Sequence, residues 1–180
     1  MNFETETKGD KKMEISRNQL ENLERALQAG AELSPALLTD LGICPTCYDR
    51  GHDFALYGDP QDTTLYEDNR FACVLIGAPR VPGHCAIISR EHFKDMMESP
   101  DELCAAMYLF AKKTMNALKK VYGAESVYLC TMCDGPMNHF HVQLIPRYPE
   151  EQRGSRNFVK PRQEYIHDPE KVNALRELLR

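Results

Sequence analysis

The run Asn138-His139-Phe140-His141-Val142-Gln143-Leu144-Ile145-Pro146-Arg147 constrains this chain more than any other. Polar and apolar residues alternate along it, which is the period of an extended strand. Read as a strand over 138–145, it places His139, His141 and Gln143 on one face and Phe140, Val142 and Leu144 on the other. The apolar face belongs in a core. The polar face carries two imidazoles and an amide in a row, about 7 Å per step. A solvated edge strand with incidental histidines would show the same row, but it would gain little stability from it.

The surrounding sequence supplies the partners for such a strand. Ser16 to Ala29 carries Leu20, Leu23 and Leu27 at helical spacing, with Gly30 as a stop. Ser34-Pro35 predicts a cap and first position of a short helix ending at Leu41-Gly42. Four strands are expected over 54–57, 63–66, 71–76 and 84–89, separated by turn residues and arranged as an antiparallel meander. Ser99-Pro100-Asp101-Glu102 predicts a cap and capping box. The stripe Leu103, Met107, Phe110, Ala117, Leu118, Val121 then gives the long helix, stopping at Gly123. A strand over 126–132 precedes the alternating one, and the tight loop 133–137 joins the two. Residues 148–167 are polar and include Arg153, Arg156, Lys160 and Arg162; Asp168-Pro169 caps a final helix. The class is α+β, an antiparallel sheet with helices packed on it. The expected division is a tail over 1–12, a helical extension over 13–42, a catalytic domain over 43–148 and a C-terminal extension over 149–180.

Seven cysteines, an odd number, and no apolar leader in Met1–Lys12 argue for reduced thiols or metal ligands over a disulfide framework. Cys44 and Cys47 lie in the turn-rich segment Cys44-Pro45-Thr46-Cys47-Tyr48-Asp49-Arg50-Gly51, which reads as a zinc knuckle. Cys130 and Cys133 have the same spacing but sit on a strand and at its edge. Residues three apart on a strand face opposite sides, so this pair is poorly placed to share an ion. Net charge is −5 over 180 residues, which opposes general nucleic-acid binding. The longest apolar run, Phe71 to Ala78, is too short to span a bilayer. A soluble cytoplasmic protein without membrane or nucleic-acid partners is expected.

Three segments resemble one family, the histidine triad superfamily. His139-Phe140-His141-Val142-Gln143-Leu144-Ile145-Pro146-Arg147 is similar to its signature strand. Pro82-Gly83-His84-Cys85-Ala86-Ile87-Ile88-Ser89-Arg90-Glu91-His92 is similar to its Gly-His strand, and Cys44-Pro45-Thr46-Cys47 to the N-terminal CxxC of its zinc-containing members. The three stand in the family's order over about 44–148. The resemblance implies a nucleotidyl hydrolase or transferase whose covalent nucleotidyl-histidine forms on His141. Neutral imidazole is nucleophilic near pH 7 and leaves again when cationic. The resemblance also implies that Gln143 and His84 are catalytic with His141, His84 in phosphate binding or proton management, and it implies a structural zinc on Cys44, Cys47, His92 and His139 and a homodimer. Cys₂His₂ is a closed tetrahedral set. Asn138, Gly135 and Arg147 border the active strand and are candidate phosphate contacts; Arg80 and the basic cluster over 153–162 are further ones.

Two positions depart from the family pattern. Hydrolase members usually carry a third histidine where this chain has Gln143; glutamine resembles the uridylyltransferase and diadenosine tetraphosphate phosphorylase branch. An amide can donate to a phosphoryl oxygen but cannot deliver a proton at neutral pH. An anionic leaving group therefore fits better than an amine. Secondly, Leu75-Ile76-Gly77-Ala78-Pro79-Arg80 holds no carboxylate where many members carry a ribose-binding aspartate. These departures keep a second reading open, a nucleotide-binding module with little turnover.

Overall fold

The computed structural model describes residues 15–54, 56–57, 62–133 and 135–180. The tail expected over 1–12 lies outside them. Helix α1, Arg17–Gln28, starts at a capping box in which Ser16 and Gln19 satisfy each other's main-chain N–H groups. Helix α2, Pro35–Asp40, is capped by Ser34 with proline in its first turn. The cysteine segment is not a turn as expected but helix α3, Pro45–Gly51, with Cys44 as its cap residue. Pro45 is the reason: its fixed φ suits the first helical position, where a missing N–H costs nothing. Leu23, Leu38, Ile43 and Tyr48 bury a small core among these three helices.

No strand forms among the described residues of 54–57. They are turns, Ala55 is not among them, and Asp53 and Phe54 take left-handed φ values of 52° and 56°. Asp49, buried on α3, accepts the N–H groups of Leu56 and Tyr57 at 2.8 and 3.1 Å. Those donors are therefore committed to a side chain and not to a ladder.

The strands are β1, Thr64–Glu67; β2, Phe71–Leu75; β3, Cys85–Ser89; β4, Ser126–Cys130; and β5, His141–Arg147. They form one antiparallel sheet in the order β1-β2-β3-β5-β4. The meander thus has three strands, not four. β5 lies inside the sheet between β3 and β4, which excludes a solvated edge strand for the alternating run. Its ladder begins at His141 and not at Asn138. Phe140 instead donates its N–H to Phe93 at 2.7 Å and accepts from Ser89 at 3.2 Å.

Helix α4, Asp101–Tyr122, covers one face of the sheet and ends on Gly123 in the left-handed conformation. Ser99 does not cap it. Pro100 holds the cap position, and the Ser99 hydroxyl donates back to the carbonyls of Asp95 and Met96 at 3.2 and 3.0 Å. Helix α5, Pro169–Leu179, is capped by Asp168. Val172, Leu175 and Leu179 of α5 join Met107, Ala111 and Leu118 of α4 over Phe71, Ile87, Phe140, Val142 and Leu144 of the sheet region. The C-terminal helix is therefore built into the main core. Among the described residues no helix is long and apolar enough to cross a membrane.

Gly83 shapes the turn that delivers His84 to the start of β3. It has φ +77°, and a Cβ there would meet Leu118 and Tyr122 side-chain atoms at 3.2–3.3 Å. A bulkier residue would push the turn off α4 and carry His84 with it.

Candidate active site and metal centre

Antiparallel register sets the site. Ile88 pairs with His141, Ala86 with Gln143 and Cys85 with Leu144. On the other side Cys130 pairs with Gln143. Val142 and Leu144 face α4, so His141 and Gln143 face the opposite side. His84 shares parity with Ala86 and Ile88 and so faces the same way. The small side chain of Ala86 leaves space beside Gln143.

The hydrogen bonds between these residues run in one direction. The main-chain N–H of Arg80 donates to Nδ1 of His84 at 3.2 Å. With Nδ1 an acceptor, the His84 proton sits on Nε2, which donates to Oε1 of Gln143 at 3.0 Å. That bond fixes the amide orientation, and Nε2 of Gln143 donates to Nε2 of His141 at 3.2 Å. The other nitrogen of His141, Nδ1–H, donates to the main-chain carbonyl of His139 at 2.8 Å. One backbone N–H thus sets two tautomers and one amide orientation, and leaves the lone pair of His141 on Nε2.

Burial disfavours the charged form of both imidazoles. His84 is completely buried, and burial pushes its pKa down to about 4 against the opposing hydrogen bond to Gln143; the charges of Arg162 and Arg80 add to the depression. His141 is also lowered, chiefly by burial, with its bond to the His139 carbonyl opposing.

One step along the chain, Cys44, Cys47, His92 and His139 come together, all four ligand atoms within 4.8 Å of one another. His139 Nδ1 lies 3.6 Å from Cys44 Sγ and 3.4 Å from Cys47 Sγ, and His92 Nδ1 lies 3.4 Å from Cys47 Sγ. A tetrahedral ion with bonds of about 2.3 Å to sulfur and about 2.0 Å to nitrogen needs ligand separations of roughly 3.4–3.8 Å. The three sulfur–nitrogen separations fit such an ion. His139 Nε2–H donates to the Ser89 carbonyl at 2.9 Å, which leaves Nδ1 bare toward the sulfurs. Cys44 is lowered to about 3, first by a hydrogen bond with Cys47 and also by His139, against burial. A low thiol pKa suits a thiolate ligand.

Sequence reasoning missed Arg50. On α3 it stands three residues after Cys47, and its Nη1 donates to the Ser89 and Arg90 carbonyls at 3.0 Å each. Ser89, at the end of β3, thus receives both His139 and Arg50. The i, i+3 spacing would have flagged Arg50, had the segment been read as a helix.

Other expected residues are placed differently. Arg147 is only 5% exposed, forms an ion pair with Glu125 at 2.8 Å and lies about 20 Å along β5 from His141. It is not brought to the site. Asn138 closes its own loop, accepting from Gly135 N–H at 3.1 Å and donating to Gly135 O at 2.7 Å. Cys130 and Cys133 gather no further ligand among the described residues. Cys73 and Cys85 are core thiols, and Cys85 is raised by its hydrogen bond with Cys73 and by burial. A cleft of about 550 Å³ is lined by Arg80, Tyr122, Tyr148, Lys160, Tyr165 and Lys171 among others. It shares Arg80 with the neighbourhood of His84 but is lined by neither His141 nor Gln143, so the hydrogen-bond chain and not cavity size defines the candidate site.

Comparison with known proteins gives the family. The chain is 31% identical over 94 residues to adenylylsulfatase HINT3 of Arabidopsis thaliana, covering 50% of this chain and 48% of that protein. It thus spans about half the length of that relative. It is 28% identical over 95 residues to an uncharacterised HIT-like protein of Methanocaldococcus jannaschii, covering 51% and 73%. In fold it is similar to a zinc-bound histidine triad family protein of Mycobacterium smegmatis, with a TM-score of 0.59, 21% identity and coverage of 76% and 92%. A histidine triad nucleotide-binding protein of Sulfolobus tokodaii gives a TM-score of 0.55 at 23% identity, covering 76% and 89%. The model of the HIT domain matches residues 58–150, more than half of the sequence, and the chain belongs to that family.

Proposed function

We propose that this chain cleaves nucleotides at the α-phosphate, as a hydrolase or nucleotidyltransferase, through a covalent nucleotidyl-histidine on His141. The observation that carries this reading is the directed hydrogen-bond chain from Arg80 to His139, which leaves the His141 lone pair on Nε2. In the first step Nε2 bonds to the α-phosphorus as the bond to the leaving oxygen breaks, and that oxygen keeps the electron pair. The His141 ring becomes cationic, and the His139 carbonyl accepting from Nδ1–H stabilises it. In the second step water or another oxygen acceptor attacks phosphorus. The P–N bond breaks, its electrons return to Nε2, and the acceptor's proton passes to solvent.

Gln143 has to release Nε2 when substrate arrives. Because His84 holds the amide oxygen, the freed N–H groups point at the bound phosphoryl group. His84 is thus the residue that orients Gln143. The neighbouring quartet would hold zinc, whose bound chemistry is structural: it ties α3 to the segment preceding β5 and so fixes the carbonyl that receives His141. The zinc-bound family protein from Mycobacterium smegmatis supports this assignment. The Arabidopsis relative's name, adenylylsulfatase, supports a substrate with an oxyanion leaving group. By family resemblance we further propose a homodimer, which sedimentation would test.

A second reading, a nucleotide-binding module with little turnover, is favoured by the amide N–H that caps His141 Nε2 at 3.2 Å. The deciding experiment is a turnover panel of adenylyl sulfate, dinucleoside polyphosphates and nucleotide sugars. The enzyme reading expects at least one substrate to be consumed by the wild type and none by His141→Ala. Turnover that survives in His141→Ala removes it.

A further inference from the structure

Gln143 cannot protonate a leaving group, so the leaving oxygen departs with its negative charge. That charge needs balancing in place. The charges of Arg80 and Arg162 both bear on His84, and that of Arg162 also bears on His141. Arg80 caps His84 through its main-chain N–H. Its guanidinium is half-buried, donates to the Lys160 carbonyl, and leaves a buried Nε without any partner. Arg162 reaches back to the same loop, donating to the Ala78 carbonyl at 3.1 Å. Gln163 N–H donates to Pro79 O at 3.1 Å and His167 Nε2–H to Ile76 O at 3.0 Å. The segment over 160–167 is thereby laced along the loop over 76–80, and both guanidiniums are held to it.

Among the described residues, ion pairs engage Arg17, Arg70, Arg90, Arg147, Arg153 and Lys160, but not Arg80 or Arg162. The two charges bear on each other and both bear on His84; Arg162 is lowered first by burial and then by Arg80. Glu150 and Glu151 line the same cleft as Arg80, and Glu151 is taken by Lys160. Two neighbouring cations outside every ion pair among the described residues, one of them carrying an orphaned buried donor, suit an anion that arrives from outside.

We propose that Arg80 and Arg162 form an anion-binding subsite that holds and neutralises the departing oxyanion, a phosphate, pyrophosphate or sulfate attached to the nucleotide α-phosphorus. The place of this subsite in the reaction rests on the proposed nucleotidyl chemistry at His141. As the bond from α-phosphorus to the leaving oxygen breaks, the electron pair stays on that oxygen. The two guanidiniums offset its charge and no proton moves.

The test is isothermal titration of the zinc-loaded full chain with inorganic pyrophosphate and, separately, sulfate. The proteins are wild type, Arg80→Gln, Arg162→Gln and, as a control just ahead of that segment, the exposed Arg156→Gln. The subsite predicts at least tenfold weaker pyrophosphate or sulfate binding in Arg80→Gln and Arg162→Gln and a change under twofold in Arg156→Gln; the tighter of the two anions names the leaving-group class. Unchanged binding in Arg162→Gln, or equal weakening in the control, overturns it. Should Arg80→Gln fail to fold, Arg162→Gln and Arg162→Lys, on an exposed side chain, decide alone. Once turnover is established, Arg162→Gln should slow a substrate with an anionic leaving group at least tenfold and a nucleoside phosphoramidate, which loses a neutral amine, under threefold. Equal slowing of both contradicts the subsite. Absence of all turnover in the wild type counts against the nucleotidyl chemistry at His141, while the titration still decides the subsite.

Discussion

The Nε2–H of His84 donates to the side-chain oxygen of Gln143 at 3.0 Å, in a spot where His84 has no solvent exposure. The Arg80 N–H on the other ring nitrogen permits no other tautomer. In the proposed chemistry His84 is therefore a positioning group and not a proton donor. It aims the Gln143 amide at His141.

Replacing that amide should change which leaving groups are accepted. Gln143→His restores an imidazole that can donate a proton. The ratio of kcat/KM for a phosphoramidate over an anionic-leaving-group substrate should rise at least tenfold. Steady-state kinetics on the two substrates would show it; an unchanged ratio contradicts the role given to Gln143.

Acid should destabilise the fold partly through His84. Its folded pKa of about 4 lies below the unfolded value of about 6.5. The unfolded chain therefore binds this proton first as pH falls. The stability from a neutral His84 is intact above about pH 6.5 and is lost progressively toward pH 4, amounting to roughly 3 kcal/mol at about 1.4 kcal/mol per pKa unit. Urea unfolding between pH 7 and 4.5 should show a shallower decline for His84→Asn than for wild type. Parallel declines contradict it.

Zinc should be stoichiometric and structural. Metal analysis is expected to find about one zinc per chain, and Cys47→Ser should lose it, with a fall in melting temperature of roughly 10 °C for about 3 kcal/mol. His84→Asn should keep its zinc. Full zinc content in Cys47→Ser would mean that the quartet is not the metal site.

Phe140 separates the two histidines and has no exposed surface. Phe140→Ala should cost about 3–5 kcal/mol, and Phe140→Leu less than about 1.5 kcal/mol. Denaturant unfolding measures both. A small loss in Phe140→Ala would mean that the anchor of this strand lies elsewhere.

Burial patterns are the part of this fold that the sequence displays openly. The apolar alternation of Phe140, Val142 and Leu144 and the helical stripe from Leu103 to Val121 are such patterns, and the fold obeys them. The quartet is legible only through family resemblance. Strand parity puts His139 on the face of His141 and gives no hint that the segment before β5 carries it to Cys44 and Cys47, 95 and 92 residues away. The strand expected over 54–57 has the right residue types, but the buried carboxylate of Asp49 takes its donors, and that is a tertiary contact. Ser99 has the composition of a cap, yet nearby carbonyls claim its hydroxyl. Every contact that laces 160–167 onto 76–80 ends on a main-chain carbonyl, and a carbonyl acceptor leaves no signature in the sequence. For the same reason the basic cluster offers no sign in sequence of which arginine reaches the site.

Everything proposed for the chemistry turns on His141 as the nucleophile. Protein is mixed with each nucleotide substrate, quenched in base to preserve an acid-labile P–N bond, and weighed intact beside His141→Ala. A nucleophilic His141 predicts a mass increase of one nucleotidyl group on the wild type alone, with zinc content equal in the two proteins. A nucleotidyl adduct on His141→Ala, or turnover by the wild type with no adduct at any quench time, would show that the nucleophile is not His141.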